Sequence, residues 1–337
     1  MTTRRDFIKT AVAAGVGATA LDSAEAVRAA VPNAGPQRMP RGLTLLSIAQ
    51  ADGTDTLGVK LPTGVLDVAM AAKSLKIDTP ITLETLLVSG NSPAFEHLIE
   101  TAKDRKEFFK DEASIKLGRL FTDPGKIVCV GLNYKEHVEE AGEKLPKQPI
   151  LFNKYNNTLA AANCTIKLPA RDVSYKFDYE TELLVVMGKT ARNVSEAEAL
   201  DYVAGYAIGH DFSARDLQLE TGGQWMVGKT LDDFAPIGPY FVSADQVDPN
   251  NLTIETFVND EAQPRQHSHT SKFIFNPQKV ISYTSKMFAL EPGDIIFTGT
   301  PSGVIIGMPK EKQVWLKAGD KITSRIEKLG TLRFDLA

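Results

Sequence analysis

The stretch FDYETELLVV, residues 177–186, places two glutamates at the start of an apolar run. The run at residues 183–186 is continuously apolar and ends in two β-branched valines, which is typical of a buried strand. Residues two apart on a strand share a face, so Glu180 and Glu182 are expected to project side by side. Two close carboxylates repel each other and are costly to desolvate, and a cation between them removes both penalties. Such oxygen ligands favour Mg²⁺, Mn²⁺ or Ca²⁺, although the pattern also fits a solvated strand face.

A third carboxylate follows another strand-like run. Asp211 comes shortly after the apolar residues 202–208, so it is expected at a strand end, where site residues often lie. Its alternative role is to cap a turn. Arg215, four residues later, is suited to hold a carboxylate through two parallel hydrogen bonds.

A candidate general base lies in GLNYKEHVEE, residues 131–140, which begins at a predicted strand end and becomes helical. His137 and Glu140 are three residues apart and therefore share a helix face. A carboxylate beside an imidazole fixes its tautomer and raises its basicity, as a general base requires. The alternative is a surface histidine in a polar helix. Pro146 and Pro149 end this helix soon afterwards, which leaves a segment suited to act as a lid.

Two further motifs have a context that argues against the obvious function. GQWMVGKT, residues 223–230, fits the pattern of a phosphate-binding loop. A polar stretch precedes it and two prolines soon follow, so no nucleotide-binding loop is expected, while Lys229 stays a candidate cation of the site. His267 and His269 alternate as on a strand, but they follow a turn in a polar stretch, and surface exposure is expected rather than a metal pair.

The N-terminus has the order of an export signal. Arg4 and Arg5, a weakly apolar stretch at residues 11–21 and a small-x-small triplet at residues 24–26 follow one another. This order predicts a twin-arginine signal peptide over residues 1–26 and a periplasmic protein. The apolar stretch is shorter than the roughly 20 residues that span a bilayer, so no membrane association is expected after cleavage.

The remaining chain predicts a linker and two domains. Residues 27–41 lack periodicity and indicate a linker, and residues 42–118 indicate a small α+β domain in which short strands precede helices. Residues 119–337 indicate a β-rich catalytic domain without the strand–helix alternation of a doubly wound fold. Helices are expected in this domain across residues 135–141, from Ser195, and across residues 277–290.

Charge and cysteine content exclude several classes of protein. The 337 residues contain 38 Lys and Arg against 42 Asp and Glu, without a long run of either sign. Neither nucleic acid nor an anionic membrane is therefore expected as a partner. Two cysteines cannot make a disulfide framework. Cys129 is predicted to be a buried strand residue, and a single disulfide with Cys164 stays open.

Taken in order, the motifs between residues 126 and 336 resemble the fumarylacetoacetate hydrolase family. The stretches that carry the resemblance are VGLNY with His137, DYETE, DYVAGY, DFSARDLQ, GK before FAPIGP, and EPGDIIFTGTP. The resemblance implies an α+β, β-rich fold with a mixed β-roll or barrel as catalytic domain, and a homodimer. It implies Mg²⁺, with Mn²⁺ or Ca²⁺ as alternatives, held by Glu180, Glu182 and Asp211.

The resemblance also implies roles for further residues. His137 and Glu140 match a catalytic dyad on a mobile lid, and Lys229 matches an active-site lysine. The substrate contacts that it implies are Tyr134, Arg215, Gln218 and Thr300. Two departures are His210, where relatives often have Asn, and NKYNN at residues 153–157, where a Lys-Pro-Ser run is usual.

The expected function is a divalent-metal-dependent hydrolase that cleaves a C–C bond in a small acylpyruvate or β-diketo acid through a metal-bound enolate. His137, oriented by Glu140, would activate water, and Lys229 would offset the oxyanion charge. The same site suits an isomerase, hydratase or decarboxylase of a 2-oxo acid. An alternative from another class is a non-catalytic periplasmic dicarboxylate-binding protein, against which the dyad and Lys229 argue.

Overall fold

The computed structural model describes Met39, residues 41–90 and residues 92–337. The predicted signal peptide and most of the predicted linker lie outside the described residues. Within the described ranges, no helix has the length and apolar character needed to cross a membrane.

Strands dominate the described part of the chain. They are β1 (Thr44–Ala49), β2 (Asp55–Leu61), β3 (Gly64–Asp67), β4 (Phe109–Lys110), β5 (Ile127–Gly131), β6 (Ile150–Asn153), β7 (Leu159–Ala161), β8 (Cys164–Ile166), β9 (Phe177–Asp178), β10 (Thr181–Met187), β11 (Val203–His210), β12 (Ser213–Ala214), β13 (Ala235–Ile237), β14 (Tyr240–Ser243), β15 (Thr253–Val258), β16 (Gln266–His269), β17 (Ile295–Phe297), β18 (Lys321–Ile326) and β19 (Gly330–Leu336). The α-helices are α1 (Val68–Leu75), α2 (Leu83–Ser89), α3 (Ser92–Ala102), α4 (Lys135–Glu140), α5 (Arg215–Glu220) and α6 (Pro277–Met287).

The largest sheet joins strands from both ends of the chain. Its order is β4-β3-β2-β1-β14-β11-β10-β17-β5-β6, with β13 and β7 attached beside β11. A second sheet has the order β16-β15-β18-β19-β8. The strand-rich mixed fold predicted from the sequence is confirmed. Within the described ranges the large sheet ends at β4 and β6, which do not pair with each other, so it is not a closed barrel.

The strands that carry the site lie at the centre of this sheet. Every residue of β10 and of β11 is buried. Leu184 and Val186 pack in one apolar cluster with residues of α1, α2 and α3, while Leu183 and Val185 pack in another with residues of β15, β18 and β19. A strand covered on both faces needs apolar residues at successive positions, which explains the continuous apolar run in the sequence.

Two of the three helices predicted in the catalytic region are confirmed, as α4 and α6. The helix predicted from Ser195 is wrong, because only a 3₁₀ turn, Ala199–Tyr202, precedes β11. Ser195 Oγ donates a hydrogen bond to Glu198 Oε2 at 2.6 Å. The hydroxyl is therefore engaged by a side chain instead of capping the backbone N–H groups of a helix.

The two cysteines lie in different sheets and both are free thiols. Cys129 is buried in β5, as predicted, and Cys164 begins β8. Burial raises the pKa of Cys164 to about 12 and raises the pKa of Cys129 well above its usual range. Both therefore stay protonated at neutral pH, and the disulfide that the sequence left open is not formed.

Candidate active site

Three carboxylates meet where strand β10 begins and its antiparallel neighbour β11 ends. Thr181, the first residue of β10, pairs with His210, the last residue of β11. Glu180 and Asp211 lie one residue beyond this pair, where Asp211 N donates to Glu180 O at 2.9 Å, and Glu182 follows on β10. One carboxylate oxygen from each of the three lies within 4.8 Å of the other two. The structure thus brings together the three predicted metal ligands, all of them buried.

Buried cations neutralise two of the three carboxylates. Lys229 Nζ lies 2.7 Å from Glu180 Oε2 and 2.9 Å from Asp211 Oδ2. Arg215 Nη2 lies 2.7 Å from Glu180 Oε1, and Lys154 Nζ lies 2.6 Å from Asp211 Oδ1. Burial alone would raise the pKa of Glu180, but the charges of Lys229 and Arg215 hold it at about 2. Glu180 therefore stays ionised at neutral pH.

Glu182 has a different environment from its two neighbours. Its Oε2 accepts a hydrogen bond from Gly299 N at 2.6 Å, and among the described residues no cation forms an ion pair with it. Burial, with the negative charges of Asp211 and Glu180, raises the pKa of Glu182 well above its usual range. The ionised form of this carboxylate lacks a compensating charge from the protein's own side chains.

The donor set fits a divalent cation. Carboxylate oxygens are the ligands that Mg²⁺, Mn²⁺ and Ca²⁺ prefer, and three of them converge here. A cation beside Glu182 would supply the charge that this buried carboxylate lacks. Lys229 contacts the other two carboxylates, so its ammonium group would share them with the ion.

The predicted dyad, His137 and Glu140, lies close to the carboxylates. His137 Nδ1 is 2.8 Å from Glu140 Oε1, and Gly303 N donates to Glu140 Oε2 at 2.9 Å. Because a carboxylate oxygen only accepts, Nδ1 carries a proton, and in the neutral imidazole the lone pair is then on Nε2. His137 and Glu140 line a cavity of about 170 Å³ together with Glu180, Glu182 and Lys229.

Three of the four predicted substrate contacts line this cavity, namely Arg215, Gln218 and Thr300. Arg215 is positioned by Gln218 of the same helix, because its Nη1 donates a hydrogen bond to Gln218 Oε1 at 2.9 Å. Tyr134 does not line the cavity. It precedes α4, and its buried ring packs on Phe273 with ring centroids 4.8 Å apart. The Tyr134 hydroxyl has no hydrogen-bond partner in the described part of the chain.

Two buried residues of the site were missed by the sequence analysis. Lys154, whose side chain is fully buried, was noted only as part of a departure from the family pattern. Asp178 accepts hydrogen bonds from Arg215 Nε at 2.8 Å, Ile305 N at 2.8 Å and Ile306 N at 3.0 Å. Asp178 lies in the stretch that predicted the site. The signal that could have identified it is an acidic side chain shortly before a buried, apolar strand.

His210 supports the carboxylates from behind. Glu180 N donates to His210 Nε2 at 3.1 Å, so Nδ1 carries the proton and faces Ser324 Oγ at 3.0 Å. Burial lowers the pKa of His210 to about 3. The imidazole is therefore neutral; its Nε2 holds the backbone of Glu180 and its Nδ1 contacts the hydroxyl of Ser324.

The two motifs with unfavourable context differ in how they are built. Residues 223–230 contain a 3₁₀ turn, Trp225–Gly228, and no helix begins at Lys229, so the geometry of a phosphate-binding loop is not formed. His267 is exposed on β16 and its Nδ1 lies 3.0 Å from Glu255 Oε1. His269 is half-buried instead of exposed, and its Nδ1 is engaged with Ser271 Oγ at 2.7 Å.

Comparison with known proteins finds similar sequences and structures in one family. Residues 126–337 match the family described as fumarylacetoacetate (FAA) hydrolase C-terminal. Fumarylacetoacetate hydrolase domain-containing protein 2 homolog of Dictyostelium discoideum is 44% identical over 288 residues, which cover 82% of this chain and 90% of the relative. Mitochondrial oxaloacetate tautomerase fahd2 of Xenopus laevis is 39% identical over 242 residues, covering 70% and 74%. The solved fumarylacetoacetate hydrolase of Exiguobacterium antarcticum is similar with a TM-score of 0.70 and 30% identity, covering 87% of this chain and 99% of the other.

Proposed function

Because the chain belongs to the fumarylacetoacetate hydrolase family, whose members are enzymes that act on small oxo acids, we propose that it enolises a small 2-oxo acid. The reaction we propose is keto–enol tautomerisation of a 2-oxo diacid such as oxaloacetate. The observation that carries this proposal is that His137, with its Nδ1 engaged by Glu140, lines the same cavity as two of the three carboxylates, Glu180 and Glu182. A positioned base next to a site for an acidic substrate is what proton removal beside a ketone requires.

The charges of the site favour an anionic substrate once an ion is bound. Four buried carboxylates, those of Asp178, Glu180, Glu182 and Asp211, face three buried cations, those of Lys154, Arg215 and Lys229. We propose Mg²⁺ as the ion, which would reverse the net negative charge of this group. When bound, a divalent cation supplies Lewis acidity that polarises the 2-oxo group and stabilises negative charge on its oxygen.

The side chains divide the remaining work. His137 Nε2 takes a proton from the carbon next to the ketone, while Glu140 stabilises the imidazolium that results. Gly303 N fixes Glu140, so the dyad keeps its orientation. The ammonium group of Lys229 offsets the negative charge that develops on the substrate oxygen. Return of the proton to that oxygen yields the enol, and the reverse sequence yields the ketone.

A second candidate is hydrolysis of a C–C bond in an acylpyruvate, in which His137 would activate water instead. The similarity to a solved fumarylacetoacetate hydrolase favours it. Tautomerisation is placed first because the relative named a tautomerase is more similar in sequence, and because a cavity of about 170 Å³ suits a very small acid. The sequence motifs alone, which carry no information on cavity size, favour hydrolysis.

The test is an assay of purified protein with Mg²⁺, with Mn²⁺ and after EDTA treatment. Oxaloacetate tautomerisation is followed by the ultraviolet absorbance of the enol, and acylpyruvate cleavage by release of pyruvate. We expect metal-dependent loss of the enol signal without pyruvate release. Metal-dependent release of pyruvate from the acylpyruvate would instead establish the hydrolase. Binding of the acids without any turnover would overturn both and establish the binding protein.

Two further properties belong to the proposal. We propose a homodimer, which light scattering on purified protein would test. We also propose export to the periplasm through residues 1–26, on the strength of Arg4 and Arg5 in their sequence context. Replacing both arginines by lysine should retain the protein in the cytoplasmic fraction, whereas unchanged fractionation would contradict export by this route.

A further inference from the structure

Two aromatic side chains form one side of the active-site cavity. Phe152, from β6, and Trp225, from the 3₁₀ turn before Lys229, both line it. Their ring centroids are 5.9 Å apart with the planes at 77°, an edge-to-face arrangement that stabilises aromatic pairs. We call these two residues the aromatic wall. Trp225 lies in the motif that mimics a phosphate-binding loop, so the proposed function leaves this part of the motif unexplained.

The wall is packed against the backbone at the end of β5. A Cβ added to Gly131 would lie 2.3 Å from Cζ3 of Trp225, so the indole occupies space that any other residue at position 131 would fill. Close packing of this kind leaves the ring little freedom to yield to a ligand. The wall therefore bounds the cavity, with its indole restrained on the side of Gly131.

The boundary lies close to the charged groups. The ammonium group of Lys229 is 2.7 Å from Glu180 Oε2 and also 5.5 Å from the ring centroid of Phe152. One side chain thus contacts the carboxylates and the wall at once. A ligand whose 2-oxo acid group binds at the carboxylates has little room to extend on this side before it meets Phe152 and Trp225.

We propose that the aromatic wall, and Trp225 above all, limits the chain length of the 2-oxo acids that bind. The inference rests on the proposed function only in placing the 2-oxo acid group at the three carboxylates. A hydrophobic pocket discriminates by about 10-fold to 200-fold for one methylene group, so a ring restrained at this position is an effective limit. Acids of about four carbons fit, and longer acids meet the indole.

The experiment measures binding, so that it does not depend on turnover. Pyruvate, 2-oxobutyrate, 2-oxohexanoate and 2-oxooctanoate are titrated by calorimetry into the Mg²⁺-loaded wild type and into Trp225→Ala. We expect the Kd ratio between 2-oxohexanoate and 2-oxobutyrate to fall by about tenfold or more in Trp225→Ala. Val227→Ala is the matched control, because Val227 lies in the same turn, is 40% exposed and does not line the cavity.

The outcomes separate the two proposals. An unchanged ratio in a folded Trp225→Ala, or the same change in Val227→Ala, overturns the role of the wall. Failure of the wild type to bind any of the four acids overturns the proposed substrate class and, with it, this inference. If Trp225→Ala does not fold, Trp225→Leu and Trp225→Phe provide the test, with a larger fall in the ratio expected for Leu than for Phe. Equal ratios in these variants and the wild type would overturn the inference.

Discussion

Lys154 Nζ lies 2.6 Å from Asp211 Oδ1, and both side chains are fully buried. Lys229 contacts the other oxygen of the same carboxylate at 2.9 Å. Asp211 is thereby held between two ammonium groups, whereas Glu182 has none among the described residues. The positive charge of the protein is therefore concentrated on Asp211 and Glu180 and leaves Glu182 uncompensated.

Lys154→Met should destabilise the metal-free protein. The substitution keeps the length of the side chain but leaves the buried Asp211 with one cation instead of two. Breaking a buried ion pair costs about 3–5 kcal/mol, and we expect the lower end because Lys229 remains. Urea unfolding in EDTA measures the loss. Lys321→Met, at an exposed position on β18, should change the free energy of unfolding by less than about 0.5 kcal/mol. Equal stability of the two variants would contradict the prediction.

Glu182→Gln and Asp211→Asn should have opposite effects in EDTA. The pKa of Glu182 is raised well above its usual range, so the metal-free fold disfavours the ionised carboxylate. A neutral amide at this position should therefore stabilise the metal-free folded protein. Asp211→Asn should destabilise it, because the ammonium groups of Lys154 and Lys229 lose a buried partner.

Added Mg²⁺ should reverse the ranking of Glu182→Gln and the wild type. An ion that binds only the folded state raises its stability with concentration, and each of the two variants lacks a ligand for it. Melting temperatures measured with and without Mg²⁺ give both comparisons. If Mg²⁺ stabilises Glu182→Gln as much as the wild type, Glu182 is not a ligand.

His137→Ala should lower kcat by about 10²-fold to 10⁴-fold with Mg²⁺ present, as expected for loss of a general base. Glu140→Gln should show a smaller loss, because the amide oxygen still accepts from Nδ1 but carries no charge to stabilise the imidazolium. Glu139→Gln is the control, since Glu139 is 62% exposed and its contact with Lys135 is 3.7 Å long. A His137→Ala protein with wild-type melting temperature and undiminished kcat would show that another group is the base.

Features that depend on neighbouring residues could be predicted from the sequence, whereas contacts between residues far apart in the chain could not. The apolar runs that became β10 and β11 were recognisable because both faces of those strands are buried. The carboxylates Glu180 and Asp211 were recognisable because each lies next to one of these apolar runs. The pairing of β1 with β14 was not, because it joins residues such as Leu45 and Phe241 that are far apart in the chain.

Lys154 shows why part of the site could not be predicted. It follows the edge strand β6, and its partner Asp211 is 57 residues away. Nothing in its own neighbourhood reveals that the sheet order brings these two strand ends together. The failed helix at Ser195 is a local counterpart, in which a side-chain hydrogen bond to Glu198 replaced the expected backbone cap.

His210→Asn should reduce the loss of stability in acid. In the folded protein His210 accepts a hydrogen bond from Glu180 N, which an imidazolium cannot do, and burial lowers its pKa to about 3. The unfolded chain binds this proton below a pH of about 6.5. The stabilising contribution is therefore complete above pH 6.5 and is lost as the pH falls towards 3.

The measurement is the free energy of unfolding in EDTA at several pH values between 3.5 and 6.5. Asparagine can accept from Glu180 N and donate to Ser324 Oγ without titrating. We therefore expect the slope for His210→Asn to be smaller than that of the wild type by about 1.4 kcal/mol per pH unit, the value for one proton. Other titrating groups contribute equally to both proteins and cancel in this difference. His97→Asn, on the exposed face of α3, should leave the slope unchanged. If His210→Asn and the wild type have equal slopes, His210 is not held neutral in the folded state.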